Sequence, residues 1–446
     1  MEKHIPEGYK QTEVGVIPVD WETKAIEEIT IQGGIVRGPF GGSLKKNDFV
    51  KSGYKVYEQK NAIKCDVKLG SYYISNEKFI ELKRFVVSSG DFIVSCSGTI
   101  GRIFQIPLHY EIGIINQALL KLTINSNKFS DKYFIHYFRW DRFQKFITDN
   151  THGGAMKNLV GINDFKKASI PFPTRKAEQK AIATALSDVD NLITSLEQLI
   201  EKEKAIKQGI MQELLTGRRR LKGFGEGKGY KQTELGMIPE DWEVKTYDEL
   251  FTFLPTATYS RAELKTSGEI GCIHYGDIHT KYEGFIDFDK TDTPKISKEQ
   301  LKNYPFLKEG DVIIVDTSED YLGVGKSIEV KNLRERKVIS GLHTFLLREK
   351  VPSIVNGYKG YLQKVPAIIK QMNTLASGLK VYGVSRTNLK TILIPFPYCK
   401  NEQKAIAQFL YDMDSEIEKL EAKVDKYIQI KQGMMQNLLS GRIRLK

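Results

Sequence analysis

Two short segments carry residue types that enzymes use for phosphate or metal chemistry. Gly323–Ser327 (Gly-Val-Gly-Lys-Ser) resembles the end of a phosphate-binding loop, in which backbone amides and a lysine hold phosphates. Asp66 followed by Glu81-Leu-Lys83 has the loose spacing of a nuclease site, where carboxylates bind Mg²⁺ and the lysine assists. A complete phosphate loop needs glycine where Asp320 stands, and that carboxylate would oppose phosphate. A turn that closes a hairpin is therefore the better interpretation of the first segment.

The remaining chemistry-bearing residues form no recognisable site. Glu-x-Lys is frequent in this Lys- and Glu-rich chain, for example at Glu243, Glu263, Glu329 and Glu421, so chance explains the nuclease-like match. The seven histidines show no metal-binding spacing, and no Asn-Pro-Pro-aromatic segment of an adenine methyltransferase is present. The sequence predicts no active site, metal or cofactor in this chain. The four cysteines lack a Cys-x-x-Cys pair, which indicates free thiols; they are Cys65, Cys96, Cys272 and Cys399.

Charge favours a polyanionic partner. The 446 residues include 67 Lys and Arg against 55 Asp and Glu, a net charge of +12. Basic side chains gain affinity for nucleic acid by displacing counterions from phosphates; a merely basic protein is the alternative. The polar start at Met1–Lys10 and the lack of an apolar run of about 18 residues predict a cytoplasmic protein.

A two-fold internal repeat organises the chain. Tyr9–Glu22 (YKQTEVGVIPVDWE) recurs as Tyr230–Glu243 (YKQTELGMIPEDWE), whereas the stretches that follow hardly resemble each other. Matching ends with differing interiors suit a two-part recognition device, although a drifted duplicated domain is the alternative. The other matched segments are Ile170–Pro173 with Ile394–Pro397, Glu178–Ala183 with Glu402–Ala407, and Lys207–Arg218 with Lys431–Arg442.

Each repeat ends in the pattern of a long helix. Apolar residues follow in steps of four and three along Glu178–Thr216 and Glu402–Ser440, which is a heptad stripe. At about 1.5 Å per residue each helix would be about 58 Å long, and each should bury its stripe against the other. The predicted interface residues are Ile182, Leu186, Val189, Ile193, Leu196 and Ile200 in the first helix and Ile406, Leu410, Met413, Ile417, Leu420 and Val424 in the second.

Two details of these helices are open to interpretation. Gly209 and Gly433 lie at matching positions inside the pattern, where glycine costs about 1 kcal/mol relative to alanine. We expect the two backbones to approach closely there, with a tolerated imperfection as the alternative. Arg218–Arg220 follows the first helix and either contacts phosphate or complements the helix dipole; the sequence favours the dipole.

Each globule is predicted to mix strands and helices. In the first, Asp91–Ser97 and Gly113–Leu122 are predicted strands and Lys132–Thr148 a helix. In the second, the predicted strands are Asp311–Thr317 and His343–Arg348 and the predicted helix is Gly357–Met372. The predicted segments are a first globule at 1–173, a helix at 174–222, a Gly-rich linker at 223–229, a second globule at 230–397 and a helix at 398–446.

These segments resemble the specificity (S) subunits of type I restriction–modification enzymes. The resemblance rests on the repeated Tyr-Lys-Gln-Thr-Glu…Asp-Trp-Glu segments, on Gly90-Asp91 with Ser97–Arg102, and on the matched segments at both ends of each helix. It covers nearly the whole chain, and the ordered set occurs twice. The second globule departs from it, because the longer and more acidic Thr317–Lys326 stands where the first has Ser97–Arg102.

The resemblance implies an α+β fold with a pseudo-two-fold repeat. Two mixed α/β target-recognition domains would be joined by two long antiparallel helices in a coiled-coil pair, and each domain would bind one half of a split, asymmetric DNA target. Two modification (M) subunits would dock on the helices and transfer methyl groups from S-adenosylmethionine, and restriction (R) subunits would complete the nuclease. This chain would direct them without catalysis of its own.

Candidate DNA contacts follow from side-chain chemistry. Basic residues can bind phosphates, and short polar or forked side chains can pair with base edges. The predicted phosphate contacts are Lys45, Lys46, Lys157, Arg261, Lys326, Lys380 and Arg386, and the predicted base contacts are Ser97, Thr99, Arg102, Asn116, Gln117, Asn158, Tyr259, His343, Thr344 and Tyr382.

Two other classes of protein would share some of these features. A self-sufficient DNA methyltransferase or nuclease would also carry recognition domains, but it needs catalytic motifs that this sequence lacks. A coiled-coil scaffold unrelated to DNA would explain the helices, yet neither the charge of +12 nor the two divergent globules.

Overall fold

The computed structural model describes residues 5–149, 159, 161–319, 323–378 and 381–445. The chain forms two compact units, Met1–Glu197 with Ala422–Lys446 and Gln198–Glu421. Each unit contains one globule and a part of each long helix. The five predicted segments keep each helix whole and so divide the chain differently; that division stays a prediction.

The first unit mixes short strands with helices, and its last helix continues into the second unit. Its elements are β1 Tyr9–Thr12, β2 Gly15–Pro18, β3 Trp21–Ala25, α1 Ile26–Ile29, β4 Thr30–Arg37, β5 Phe49–Val50, β6 Tyr54–Tyr57, α2 Gln59–Lys64, β7 Tyr73–Ile74, α3 Asn76–Glu81, β8 Phe92–Ser95, β9 Ile103–Gln105, β10 Gly113–Ile115, β11 Leu119–Ile124, α4 Asp131–Arg139, α5 Asp141–Asp149, α6 Ile162–Lys167, β12 Ser169–Pro173 and α7 Lys176–Leu215.

Two four-stranded sheets form the first globule. One has the strand order β4-β11-β8-β9 and is antiparallel, and the other has the order β10-β6-β7-β5. Strand β12 pairs antiparallel with β3, so the Ile-Pro-Phe-Pro segment lies beside the Trp-Glu segment. Aromatic residues of α4, Phe134 and Phe138, pack with Phe92 and Ile170 in one buried core.

The second unit follows the same plan with different sheets. Its elements are β13 Tyr230–Thr233, β14 Gly236–Pro239, β15 Trp242–Thr246, α8 Tyr247–Leu250, β16 Phe251–Leu254, β17 Ile270–Ile273, α9 Tyr275–Thr280, β18 Gly284–Asp287, β19 Lys295–Ile296, β20 Val312–Val315, β21 Thr317–Ser318, β22 Ser327–Lys331, β23 Val338–Ser340, β24 Thr344–Glu349, α10 Pro366–Leu375, β25 Tyr382–Gly383, α11 Arg386–Thr391, β26 Leu393–Pro397 and α12 Lys400–Leu438.

A five-stranded sheet, β16-β24-β20-β22-β18, carries the second globule, and a three-stranded sheet has the order β19-β17-β23. Strand β15 pairs antiparallel with β26 in the same register as β3 with β12. The long helices pack together, and the predicted α+β fold with two mixed domains is confirmed.

Both long helices begin two residues before their predicted starts, at Lys176 and Lys400. Most residues of the predicted stripe are buried, whereas Val189, Met413 and Leu420 are partly exposed. The ends of the stripe pack into the globules as well. Ile182 and Leu186 of α7 share a core with Met435, Leu438 and Leu439 of α12 in the first unit, and Ile406 and Leu410 of α12 share one with Leu214 and Leu215 of α7 in the second. The helices therefore run antiparallel within each unit.

An aspartate on each helix connects the pair to a globule. Asp190 of α7 forms an ion pair with Lys431 of α12 at 2.5 Å, and Nδ1 of His136 in α4 lies 3.9 Å from its carboxylate. The second unit repeats the arrangement with Asp414 of α12, Lys207 of α7 and the Tyr361 hydroxyl, which donates to Asp414 at 3.1 Å.

One arginine in each unit joins the repeated motifs. Arg444 donates to both oxygens of Asp20 at 2.8–2.9 Å and to Glu178 at 2.5 and 2.8 Å, and it lies 5.7 Å from the centre of the Trp21 ring. We call this the first arginine clamp. The second clamp has Arg220 on Asp241, Glu402 and Trp242. For Arg220, the predicted dipole or phosphate role is therefore wrong.

A glycine after each long helix makes room for the repeated N-terminal segment. Gly217 and Gly441 have φ of +67° and +72°, which suits glycine at a helix end. An added Cβ would lie 2.4 Å from Pro239 and 2.5 Å from Pro18, respectively. The Tyr230 and Tyr9 hydroxyls donate to the carbonyls of these glycines, each at 3.1 Å. This contact explains why Tyr…Ile-Pro and Gly-Arg repeat together.

Three predicted elements are wrong because a local feature divides each one. Lys132–Thr148 is two helices, since Trp140 is extended, with ψ of 130°. Gly113–Leu122 is two strands in different sheets, because the Asn116 side chain accepts a hydrogen bond from the Ala118 amide at 3.0 Å and forms a turn. In Gly357–Met372 a 3-10 turn ends at Lys364 and α10 begins at Pro366, since the residue before proline avoids the helical region.

The expected close approach at Gly209 and Gly433 is also wrong. An added Cβ would meet nothing within 4 Å at either glycine. The tolerated-imperfection alternative fits this structure better.

Candidate nucleic-acid interface

In the first unit, the loops that follow β4, β6, β8 and β10 meet at one edge of the sheets. The Cys96 amide donates to the Ala118 carbonyl and the Asn116 amide donates to the Tyr57 carbonyl, each at 2.9 Å. We call the surface formed by residues 37–46, 58–60, 96–102 and 116–118 the first loop edge. Rigid sheets thus support a surface of loops, as binding sites commonly require.

Gly38 brings two of these loops together. Its amide donates to the Leu119 carbonyl at 2.9 Å, and an added Cβ would lie only 1.8 Å from the Asn116 carbonyl oxygen. No other residue fits there without moving the backbone.

The predicted contacts of the first globule fall on this edge. Lys45, Lys46, Thr99, Arg102 and Gln117 are exposed, and Ser97 and Asn116 are partly buried. Ser95 fixes the 96–102 loop, because its hydroxyl donates to the Thr99 carbonyl at 2.6 Å and accepts from the Arg102 amide at 3.0 Å. Lys157 and Asn158 lie outside the described residues.

Two residues of this edge escaped the sequence prediction. Phe40 is 65% exposed, and the Arg37 guanidinium lies 5.5 Å from the centre of its ring. An aromatic ring and a cation on an exposed loop suit contact with nucleic acid. The signal in the sequence was an isolated phenylalanine in a segment of glycine and proline, Arg37-Gly-Pro-Phe-Gly-Gly.

The second unit has a matching edge with different side chains. The Asp316 amide donates to the His343 carbonyl at 3.2 Å, and the Gly341 amide donates to the Ile273 carbonyl at 2.9 Å. These bonds correspond to those of Cys96 with Ala118 and of Asn116 with Tyr57. The second loop edge comprises residues 255–261, 274–279, 316–319, 323–326 and 341–343.

Two predicted base contacts in the second globule are not on its surface. Tyr259 is 6% exposed and its hydroxyl donates to the Gln300 carbonyl. Thr344 is 4% exposed and its hydroxyl donates to the Gly341 carbonyl at 2.6 Å. Both side chains are buried within the fold, so neither is placed to contact a base.

The remaining candidates there are only partly available. Arg261 pairs with the buried Asp277 at 2.6 Å, and the Lys326 ammonium donates to the His279 carbonyl at 3.0 Å. Arg386 donates to the Phe253 carbonyl at 2.5 Å and lies 5.4 Å from the centre of that ring. His343 is exposed and Tyr382 partly buried, and Lys380 lies outside the described residues.

A cluster of histidines around Tyr275 was missed as well. The Tyr275 ring lies 4.5 Å from the His274 ring, 5.2 Å from the His343 ring and 6.1 Å from the His279 ring, measured between centroids. Burial lowers the pKa of His274, and its Nδ1 accepts from the Gly276 amide at 3.2 Å, which closes the first turn of α9. His274 and His279 flank Tyr275 in and next to α9, whereas His343 is far away in sequence, so only folding brings it to the other two.

The segments that resembled enzyme sites have other roles. Gly323–Ser327 leads into β22, which is antiparallel to β20, so the hairpin interpretation holds. Glu81 pairs with Lys78 at 2.9 Å, and Asp66 accepts from the Lys68 amide at 2.8 Å. Within the described ranges, no group of three or more His, Cys, Asp or Glu is placed to hold a metal ion. Nor is any helix there long and apolar enough to cross a membrane.

Comparison with known proteins agrees with this arrangement. The family model for the type I restriction modification DNA specificity domain matches residues 18–208 and again 239–428. The type I restriction enzyme MjaVIII specificity subunit of Methanocaldococcus jannaschii is 27% identical over 100% of this chain and 98% of that protein. The EcoBI specificity subunit of Escherichia coli is 29% identical over 138 residues, 30% of this chain and 28% of that protein.

The fold is also found among solved structures. A chain described under the structural basis of complex assembly and conformational transition of the type I R-M system superposes with a TM-score of 0.62. The match covers 96% of this chain and 99% of that chain at 15% identity. With two specificity domains matched over most of its length, this chain belongs to the type I restriction–modification DNA specificity family and is a specificity subunit.

Proposed function

We propose that this specificity subunit recognises a split, asymmetric DNA target, with one loop edge on each half. The observation that carries the proposal is the pair of loop edges, which share their backbone hydrogen bonds while their side chains differ. The shared backbone hydrogen bonds would give each edge the same position relative to the helices in its own unit, and the differing side chains would select different bases. The net charge of +12 supports binding to phosphates.

Methylation mapping tests this proposal. The chain would be co-expressed with candidate M subunits of type I systems, and the host DNA would be sequenced for N6-methyladenine. We expect one motif of two unrelated halves separated by a fixed spacer. A continuous motif, or none from a verified assembled complex, would contradict the proposal.

We further propose that the chain is not itself an enzyme and that S-adenosylmethionine binds to the M subunits. No catalytic motif is present in the sequence, and the acidic residues that resembled a nuclease site are hydrogen-bonded locally. Methyltransferase and nuclease assays on the purified chain alone should show no activity above buffer. Activity that persists through a second purification step would favour the self-sufficient enzyme.

Two copies of the M subunit are the partner that the surface supports. Several exposed residues are identical at matching positions of the two helices and of the short segments that follow them, and neither clamp contains these residues. Identical exposed residues at two places suit one partner that binds twice. They are Lys180 with Lys404, Gln212 with Gln436, and Arg218 with Arg442.

Stoichiometry and surface can be tested together by native mass spectrometry. We expect two M subunits for each chain, Arg218→Ala or Arg442→Ala to weaken one of the two binding events, and the double variant to weaken both. Exposed Lys45→Ala, on the first loop edge, is the control. A single M subunit for each wild-type chain would contradict the proposed stoichiometry.

A further inference from the structure

The second loop edge concentrates imidazole groups in a way that its counterpart does not. Three of the seven histidines of the chain, His274, His279 and His343, surround Tyr275. According to the matching backbone hydrogen bonds, the first loop edge has Glu58 at the position equivalent to His274 and Ala118 at the position equivalent to His343. The cluster therefore belongs to this edge and not to the shared frame.

His343 is held in an unusual conformation at the centre of the edge. Its φ is +56°, a left-handed value that few residues other than glycine adopt and that tends to occur at functional sites. The side chain is 45% exposed, and its Nδ1 lies 3.2 Å from Oδ1 of Asp316. That oxygen is buried, and no hydrogen bond to it, from His343 or from another described residue, has good geometry. The hydrogen bond from the Asp316 amide to the His343 carbonyl also joins these two residues through the backbone.

This geometry leaves one edge of the imidazole to a ligand. Nδ1 lies toward the carboxylate, and the ring packs against Tyr275 at an interplanar angle of 82°, so Nε2 is the ring nitrogen left to contact DNA. A ring that carries both protons would direct Nδ1–H to the Asp316 carboxylate and offer Nε2–H to the DNA. An Nε2–H donor pairs with N7 or O6, the acceptors that purines present in the major groove.

We propose that His343 recognises a purine of the second half-site, with Asp316 and Tyr275 as positioning residues. The inference rests on the proposed function, and it adds a specificity-determining residue and the class of base that it contacts. His343 alone touches the base.

The test uses the assembled complex and the target found by methylation mapping. Each purine of the second half is replaced in turn by its 7-deaza analogue, which pairs normally but lacks the N7 acceptor. We expect one replacement to weaken binding of the wild-type complex about tenfold, the scale of one lost hydrogen bond. His343→Gly should weaken binding to the natural duplex similarly and make the complex indifferent to that replacement. Glycine accepts the left-handed backbone, so the variant should fold.

Two further variants separate recognition from a structural role. Asp316→Asn should lose part of the sensitivity to 7-deaza replacement while the first half-site is still recognised. Arg102→Ala, on the first loop edge, should leave that sensitivity intact. The inference is wrong if the losses of binding free energy caused by His343→Gly and by the 7-deaza analogue simply add. It is also wrong if replacement of no purine in the second half weakens binding. Either result would leave the split target itself unaffected. If the wild-type complex methylates no split target, the proposed function fails first.

Discussion

At the scale of single residues, the two arginine clamps explain most of the repeated sequence. Glu178 and Glu402 are 3% and 1% exposed, and such buried carboxylates need a cation and well-aligned donors. The forked guanidinium of Arg444 or Arg220 supplies both and also contacts a tryptophan ring. Pairing with Arg444 lowers the pKa of Asp20. The Asp-Trp, Glu-Gln and Gly-Arg-x-Arg motifs are therefore parts of one contact.

Removing one clamp should destabilise one unit. Arg444→Ala leaves the buried Glu178 without its cation, a change that costs about 3–5 kcal/mol. Arg444→Lys keeps the charge but not the fork, so we expect an intermediate loss. Urea unfolding, monitored by hydrogen exchange of the α4 amides, would measure the change in the free energy of unfolding. Exposed Arg442→Ala is the control. A lysine variant as stable as the wild type would show that charge alone suffices.

Ionisation of Glu329 should make the second unit less stable at neutral pH than at acidic pH. Glu329 is buried in β22 and accepts from the Gly357 and Gly360 amides at 2.7 and 2.8 Å. Burial raises its pKa from 4.5 to about 7, so the native state holds the proton more tightly than the unfolded chain. The stabilisation is complete below pH 4.5 and is lost as the pH rises through 7, by about 3 kcal/mol.

Urea unfolding of the second unit between pH 5 and 8 measures this slope. Glu329→Gln should flatten it, whereas Glu335→Gln, at an exposed position, should leave it unchanged. An equal slope in wild type and Glu329→Gln would assign the pH dependence to other groups.

His136 should give the first unit the opposite pH dependence, with lower stability at acidic pH. Burial lowers its pKa from 6.5 to about 4, and Nε2 lies 2.9 Å from the Ser187 hydroxyl. The neutral ring contributes stability above pH 6.5 that is lost as the pH falls through 4, about 3 kcal/mol in all. Hydrogen exchange of α4 at pH 4 and 7 should show the loss. His136→Gln should reduce it and exposed His109→Gln should not; unchanged protection at pH 4 would refute the assignment.

At the scale of elements, the long helices are stabilised by what covers their two ends. Their apolar stripe is narrow, so an isolated helix of this kind is only marginally stable. The globules cover Ile182 and Leu186 at one end and Ile406 and Leu410 at the other. Helix and globule therefore depend on each other within each unit.

The two helix glycines offer a test at this scale. Because an added Cβ meets nothing, Gly209→Ala and Gly433→Ala should each stabilise the free chain by about 1 kcal/mol. Thermal unfolding would measure the gain. If either variant also weakens binding of M subunits, the partner occupies that space; destabilisation of the free chain would mean that the helices approach more closely than the structure has them.

At the scale of the whole molecule, the residues that differ between the two repeats and those that are identical lie in different parts of the chain. The loop edges hold the side chains that differ, and the helices and clamps hold those that repeat. Under the proposed function, this separation would allow one half of the target to change without loss of the complex.

Exchange of one globule tests this separation. Residues 24–168 would be replaced by the corresponding segment of another family member, which leaves both clamps and both helices intact. Methylation mapping should show a new first half-site with the spacer and second half unchanged. Retention of the full original target, or a change in both halves, would contradict one edge per half-site.

The sequence by itself determined the repeat, the two long helices and the family, because motif order and heptad spacing are local properties of the chain. Folding decided which residues form each edge. Tyr259 and Thr344 have suitable side chains but are buried, and Phe40 and Tyr275 show no periodic signal but lie at the edges. Contacts such as that of His343 with Asp316 join segments far apart in sequence, and no spacing rule predicts which loops meet. Only the tertiary structure, by closing those loops over the sheets, placed them together.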